Sequence, residues 1–210
     1  VTEQKAGWRP LVTAWIESQL AAGGGGRGAV KDGAGLVQEI PAWCGNSGSK
    51  VLAFLAHEWV VSKSPHLLFI ELAINDGDAL LETGDAAAIG CALEGIVRQV
   101  REGVPMCEIC FLLMYVRDDL PLAQRTGSAA WCNNTDAAAA AAYHSAIPAL
   151  HSSVAERYGA PVLSLIPLMT KLDGTGRRRA FRDDCHLTVD GAALVAAAVA
   201  ACLGKLVGEG

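Results

Sequence analysis

No run of apolar residues in this 210-residue chain reaches the ~18 that a membrane-spanning helix needs, and its Ala-rich stretches are too polar or too broken to serve. Basic charge is not in excess either. The chain has 17 Lys and Arg against 22 Asp and Glu, a formal net charge of −5, which argues against a general nucleic-acid binder. The Gly-rich stretch 23–35 has no G-K-[ST] ending, and no G-x-G-x-x-G stands between a strand and a helix, so no phosphate cradle is indicated. His57-Glu58 lacks the second His of H-E-x-x-H, which removes a zinc-protease site. No signal peptide is visible, and a chain that opens on Val1 gives no basis for assigning a compartment.

What remains is globular. Hydrophobic residues make up 51% and charged residues 19%, and the length suits one domain with a sizeable core. The abundant Ala and Gly carry no functional signal. The 7 cysteines are odd in number and scattered. Cys107-x-x-Cys110 lies in the apolar run 107–116, and its two residues fall on opposite faces of a strand, so they read as core filler rather than a redox or zinc pair. Cys132 and Cys185 both fall in polar loops, where a disulfide between them is an option that the sequence leaves open.

Helical and strand patterns alternate. Residues 8–21 carry Leu11, Val12, Trp15, Ile16 and Leu20 at helical spacing. Residues 36–43 form a candidate strand, 47–59 a helix, 66–73 a largely apolar strand, and 85–101 an amphipathic helix. Residues 106–116 are a strand too apolar to have a wet face. A long polar stretch, 117–136, precedes a helix at 136–158 with a kink expected at Pro148. A short strand at 161–165, a loop at 171–186 and a last helix at 189–203 complete the chain. Continuous apolar strands separated by helices imply a mostly parallel sheet covered on both faces. Ligands of such sheets bind beyond the carboxyl ends of the strands.

Two features fall on that rim. Asp183-Asp184-Cys185-His186 is a D-x-x-H sequence ahead of the final apolar run. An Asp three residues before a His can hand its carboxylate to Nδ1 and leave Nε2 free as a base toward a hydroxyl. Glu71-Leu72-Ala73-Ile74-Asn75-Asp76 reads as a buried strand ending in Asn-Asp, and Asn75 there can aim its NH₂ into the same crevice as an oxyanion donor. Taken singly each has an ordinary reading: a solvated loop for D-x-x-H, a turn for Asn75-Asp76-Gly77. Both choices of acid, Asp183 and Asp184, are open on residue type alone.

In order and position, these residues resemble the SGNH, or GDSL-type, hydrolases. The resemblance runs the length of the chain. Ser47-Gly48 matches the family's Gly block, Ala73-Ile74-Asn75-Asp76 its G-x-N-D block with Ala in place of Gly, and Asp183–His186 its D-x-x-H block. The resemblance implies a three-layer α/β/α sandwich around a parallel sheet, flavodoxin-like, and ester hydrolysis by a Ser-His-Asp mechanism. His186 is then the general base and Asp183, by family spacing, its orienting acid. Gly48 and Asn75 are the oxyanion donors. No metal and no organic cofactor is implied. The expected substrates are small acyl esters, acetyl groups on a glycan included. Acyl transfer to a sugar hydroxyl, or non-catalytic carbohydrate binding, are the alternatives.

The family's first block, Gly-Asp-Ser, is not found. Val1-Thr2-Glu3 resembles the residues that come after the family serine, which places the nucleophile immediately before Val1. The expectation is a single domain over residues 1–210 lacking its first strand and Ser block, inactive as it stands. Its sheet would have two unpaired strand edges, making the chain marginally stable. Ser47 and Ser49 are the nearest substitutes, but they fall at the oxyanion Gly. Arg177-Arg178-Arg179 and Arg182 read as a solvated run or as a handle for an anionic substrate. Residues 117–136, with Trp131 and Asn133-Asn134, are long enough for a lid or a sugar-stacking wall. His66 reads as a loop or edge residue, and His144 and His151 as surface histidines.

Overall fold

The structure, a computed structural model, describes residues 7–23, 37–40, 47–117 and 141–208. Helix α1 spans Trp8–Gly23 and α2 spans Ser49–Trp59. Strand β1, Leu67–Ile70, leads into α3, Ala73–Thr83, and then α4, Ala86–Gly103. Strand β2, Glu108–Leu113, is the middle strand. A π-helical turn at Ala142–Ala146 runs into α5, Ile147–Arg157, and strand β3 comes next at Val162–Ser164. Two short helices, α6 at Ile166–Thr170 and α7 at Gly174–Ala180, precede the long α8, Val189–Gly208.

The three strands are parallel, in the order β1-β2-β3, with Phe69 opposite Cys110 and Leu112 opposite Leu163. Alternation along β2 supplies both layers of core. Ile109, Phe111 and Leu113 join Ile89, Leu93, Ile96, Val97 and Val100 of α4 and Ile147 and Val154 of α5. Leu112 joins Val12 of α1 and Val195 and Val199 of α8 on the opposite face. Successive strand residues point to opposite faces, so a strand apolar throughout demands helices on both sides. The result is the expected α/β/α sandwich. Helix α4 illustrates how locally this is written. Asp85 caps it by accepting from the Ala88 N–H at 2.9 Å, and its apolar residues recur at helical spacing on one buried face.

Four expectations change. Residues 37–40 form no strand, and the remainder of 36–43 lies outside the described residues. Residues 71–76 are not a strand ending in Asn-Asp, nor is Asn75-Asp76-Gly77 a turn: β1 stops at Ile70 and α3 begins at Ala73, with the Asp76 N–H donating to the Leu72 carbonyl at 2.9 Å. That helix stops at Gly84, whose φ of 66° suits glycine. The loop over 171–186 contains α7, capped by Asp173. The irregularity near Pro148 is the π turn just before it, and Pro148 itself sits in the first turn of α5, where its missing N–H is tolerated. The segment 118–140, including Trp131 and the expected lid or wall, lies outside the described residues, as do Val1, Cys44 and Cys132.

Helix α8 begins against the backbone of α7. A Cβ on Gly191 would lie 1.9 Å from the Ala180 carbonyl oxygen and 2.8 Å from its carbon. Backbone cannot swing aside as a side-chain tip can. Gly191→Ala is expected to destabilise the fold by about 3 kcal/mol, the upper range for overpacking. Gly95→Ala, at a helical position with open space around it, is expected to stabilise by about 0.5–1 kcal/mol. Urea unfolding of both variants checks the opposite signs.

Candidate active site

The loop that carries Asp183 and His186 is held from both sides. The Arg182 N–H donates to the His186 carbonyl at 2.8 Å and the Thr188 N–H to the Ala180 carbonyl at 3.0 Å, with a bridge between Phe181 and Leu187. The Arg117 N–H, just past the carboxyl end of β2, donates to the Asp184 carbonyl at 2.7 Å. Within this bracket His186 Nδ1 lies 2.9 Å from Asp183 Oδ2 and 3.0 Å from Oδ1. Asp183, and not Asp184, therefore orients the ring; Asp184 is 1% exposed and turned into the protein.

Asp183 Oδ1 also accepts the backbone N–H groups of His186, at 2.7 Å, and of Cys185, at 3.1 Å. Burial works against its charge. It is outweighed by these two N–H groups and by the His186 imidazole, so the carboxyl sits below its ordinary 3.8. With Nδ1 occupied by a fixed carboxylate, Nε2 is the nitrogen left for chemistry, and the His186 side chain is 58% exposed on the rim.

The second half of the site is built around Gly48. It is the N-cap of α2 and has no side chain with which to cap it. Asp76 supplies that cap from α3: its Oδ1 accepts the Ser49 N–H at 2.7 Å, a carboxylate placed where the helix dipole favours one. The approach is so close that a Cβ on residue 48 would lie 2.5 Å from Asp76 Oδ1, which requires glycine there. Asn75 Nδ2 donates one hydrogen to the Ser47 carbonyl at 3.1 Å and retains a second. The Gly48 N–H has no acceptor among the described residues. Gly48 and Asn75 are thus brought together, beyond the carboxyl end of β1. The Cys185 thiol beside His186 is raised by burial first, then by the charges of Asp184 and Asp183, by its hydrogen bond with Asp184, and by the charge of Asp78 on α3.

The other candidate residues have structural places. Ser49 is fully buried with its hydroxyl toward the Ile89 carbonyl, unsuited to attack a substrate. Cys185 is a free thiol. Asp183, Cys185 and His186 offer ligand atoms within 4.8 Å of one another, but Nδ1 is committed to Asp183 and the raised thiol keeps its proton, so the trio is a poor metal cradle. The arginine run is largely solvated: Arg178, Arg179 and Arg182 are exposed, Arg179 pairing with Asp190 at 3.3 Å and Arg182 lying 3.7 Å from Asp183, while half-buried Arg177 donates to the Leu172 carbonyl at 2.9 Å. Glu71, just past β1, is raised to about 8 by burial, with Arg9 pulling it back.

The reading of two surface histidines is overturned: His144 is half-buried, its ring centroid 5.1 Å from that of Tyr115. His151 is not a surface histidine but fully buried, its Nε2 2.9 Å from Asp76 Oδ2 and its ring edge-on to Phe111. The seven-residue spacing to His144, interrupted by Pro148, gives no sign of this. Histidine on the inward face of an apolar helix, with a lone Asp in a glycine-flanked block far upstream, is the available signal.

The family model described as GDSL-like lipase/acylhydrolase matches residues 4–194. No curated protein matches the chain. Among solved structures it is similar to a two-domain esterase active on acetylated mannans, at 20% identity and a TM-score of 0.64, covering 96% of this chain and 44% of that one. The chain thus spans less than half the length of that esterase. An acetyl xylan esterase matches at 15% identity with a TM-score of 0.64, covering 94% of this chain and 91% of that one. A lipase/acylhydrolase from Enterococcus faecalis matches at 15% identity with a TM-score of 0.57, covering 91% and 83% respectively.

Proposed function

Because the chain belongs to the GDSL-like lipase/acylhydrolase family, we propose that it hydrolyses small acyl esters, acetyl esters of carbohydrate in particular, by a Ser-His-Asp mechanism. The observation that carries this reading is the 2.9 Å contact of Asp183 Oδ2 with His186 Nδ1, which leaves Nε2 free on an exposed rim. The carbohydrate part is supported by solved structures of similar fold whose substrates are acetylated mannan and xylan.

In this reading the nucleophile is a serine directly ahead of Val1. His186 Nε2 takes the serine proton as the oxygen attacks the ester carbonyl. The carbonyl π electrons move onto oxygen, and the Gly48 N–H, the free Asn75 Nδ2 hydrogen and the serine amide stabilise that charge. Each such donor is worth about 3 kcal/mol of barrier. The C–O bond to the alcohol then breaks, and the imidazolium returns its proton to the departing oxygen. Water repeats the sequence on the acyl-serine, releasing acid and free enzyme. Asp183 holds the tautomer and faces the imidazolium throughout.

The test is hydrolysis of p-nitrophenyl acetate, butyrate and octanoate, and acetate release from acetylated xylan and mannan. It compares the 210 residues alone with the protein carrying the residues encoded before Val1. Activity is expected only in the longer form, with Ser before Val1, and highest on acetate. His186-dependent hydrolysis by the 210 residues alone would place the nucleophile elsewhere. A folded longer form with that Ser that cleaves no short ester would favour non-catalytic carbohydrate binding.

A further inference from the structure

Ester hydrolysis employs Gly48 and Asn75 but gives no role to the buried pair beneath them. Asp76 is 1% exposed and His151 is 0% exposed, and both side chains are spent on each other and on the oxyanion segment. Asp76 Oδ1 takes the Ser49 N–H at 2.7 Å, and its Oδ2 lies 2.9 Å from His151 Nε2. His151 Nδ1 is buried with no hydrogen-bond partner among the described residues. A bare lone pair is tolerated there better than a bare N–H, so the proton belongs on Nε2, directed at Asp76. Resting on the ester-hydrolysis reading of this site, we propose that Asp76 and His151 are a buried positioning pair that fixes the two oxyanion donors, the Gly48 N–H and Asn75 Nδ2.

The chain of contacts is continuous. Residues 75 and 76 are adjacent in the first turn of α3, so fixing the Asp76 carboxylate fixes the turn that aims Asn75. The other carboxylate oxygen holds Ser49, the neighbour of Gly48, and Asn75 itself ties down Ser47. Gly48 therefore lies between two anchored residues. A carboxylate taken out of water needs donors on both oxygens, and His151 is the donor for Oδ2. The scaffold around the pair is arranged for this contact. Tyr143 in the π turn donates to Asp78, close to Asp76 on α3, and a Cβ on Gly77 would lie 2.3 Å from the Tyr143 ring. An i→i+5 turn absorbs one extra residue. Tyr143 and His151, eight apart, thereby occupy places that residues seven apart hold on an unbroken helix, and both reach α3.

The test compares His151→Leu, which removes the donor, with His151→Gln, whose amide nitrogen replaces Nε2. Steady-state kinetics on p-nitrophenyl acetate uses the ester-active protein, and amide hydrogen exchange at Ser49 is read by NMR against Ile109 in β2. His151→Leu is expected to lower kcat by about 10- to 100-fold, bounded by the ~10²–10³ of a lost oxyanion donor, with KM within about threefold. Its Ser49 amide should exchange about 10-fold faster or more, by loss of one buried hydrogen bond. His151→Gln should stay within about threefold of the wild type on both counts. If His151→Leu is too unstable to purify, His151→Asn, whose amide falls short of Asp76, takes its place. Equal effects of the donor-less and donor-bearing variants, or an unchanged kcat without the donor, would overturn the proposal. A wild type that cleaves no ester would instead sink the hydrolysis reading, and the Ser49 amide would then decide this one alone.

Discussion

His186→Ala is expected to lower kcat on p-nitrophenyl acetate by about 10⁴-fold or more while leaving the fold intact. A base of this kind acts as a unit with its nucleophile, so removing it forfeits nearly the whole covalent route. The oxyanion donors and binding keep only a residual ~10³–10⁴ over water. Folding should be almost indifferent. The side chain is 58% exposed, and its hydrogen-bond partner Asp183 retains two backbone N–H donors without it. An exposed substitution of that sort changes stability by about 0.5 kcal/mol or less. Kinetics and a thermal melt on the same sample, using the ester-active form of the protein, separate the two effects. A variant that keeps a tenth of the activity would remove His186 from the chemistry. One that melts many degrees lower would show that the loop depends on the imidazole.

The contact of Asp183 with His186 is legible in the sequence because it is local. Asp183 and His186 are three residues apart, and the Asp side chain needs only the intervening backbone N–H groups to reach the ring. The same holds for α4, whose cap and buried face are written within 18 consecutive residues. The grouping of Gly48, Asn75 and Asp76 is non-local. Gly48 is required by the carboxylate of Asp76 on another helix, and Asp76 by His151, 75 residues further on. No periodicity or spacing records such a contact, which is why His151 reads as one more surface residue on an interrupted helix. The block Ala73–Gly77 departs from its turn chemistry for a related reason. Asn-Asp-Gly is a strong turn signal by itself, and only packing decides for helix: Gly77 lies under the Tyr143 ring, and the Asp76 carboxylate is engaged across the interface with α2. The parallel sheet, by contrast, comes directly from β2, in which Ile109 through Leu113 offer no wet face.

Asp183→Asn separates the charge of the orienting residue from its shape. The amide oxygen can still accept the N–H groups of Cys185 and His186, so the loop should keep its path. The amide nitrogen then faces His186 Nδ1 in place of a carboxylate oxygen. It can only donate, and Oδ1, 3.0 Å from Nδ1, already accepts two N–H groups, so the pairing that satisfies the new amide has the Nδ1 lone pair facing it and the proton on Nε2. The nitrogen that should accept the serine proton is then already protonated, and nothing faces the imidazolium that would form. The expected loss in kcat is about 10⁴-fold, as for the wrong tautomer in a serine protease triad. The same substitution has a signature in stability. The Asp183 carboxyl sits below its ordinary 3.8 in the folded chain, held there against burial by the two N–H groups and the imidazole. A depressed carboxyl contributes stability that is complete above the unfolded value and is lost as the pH falls through the folded one. Wild type should therefore exceed Asp183→Asn by a constant margin from neutral pH down to about 4, and the margin should close as the solution is acidified further. Urea unfolding as a function of pH measures this margin. Margins that do not narrow in acid would show that the Asp183 carboxylate is not held by these donors, and a kcat near that of the wild type would show that His186 does not depend on it for its tautomer.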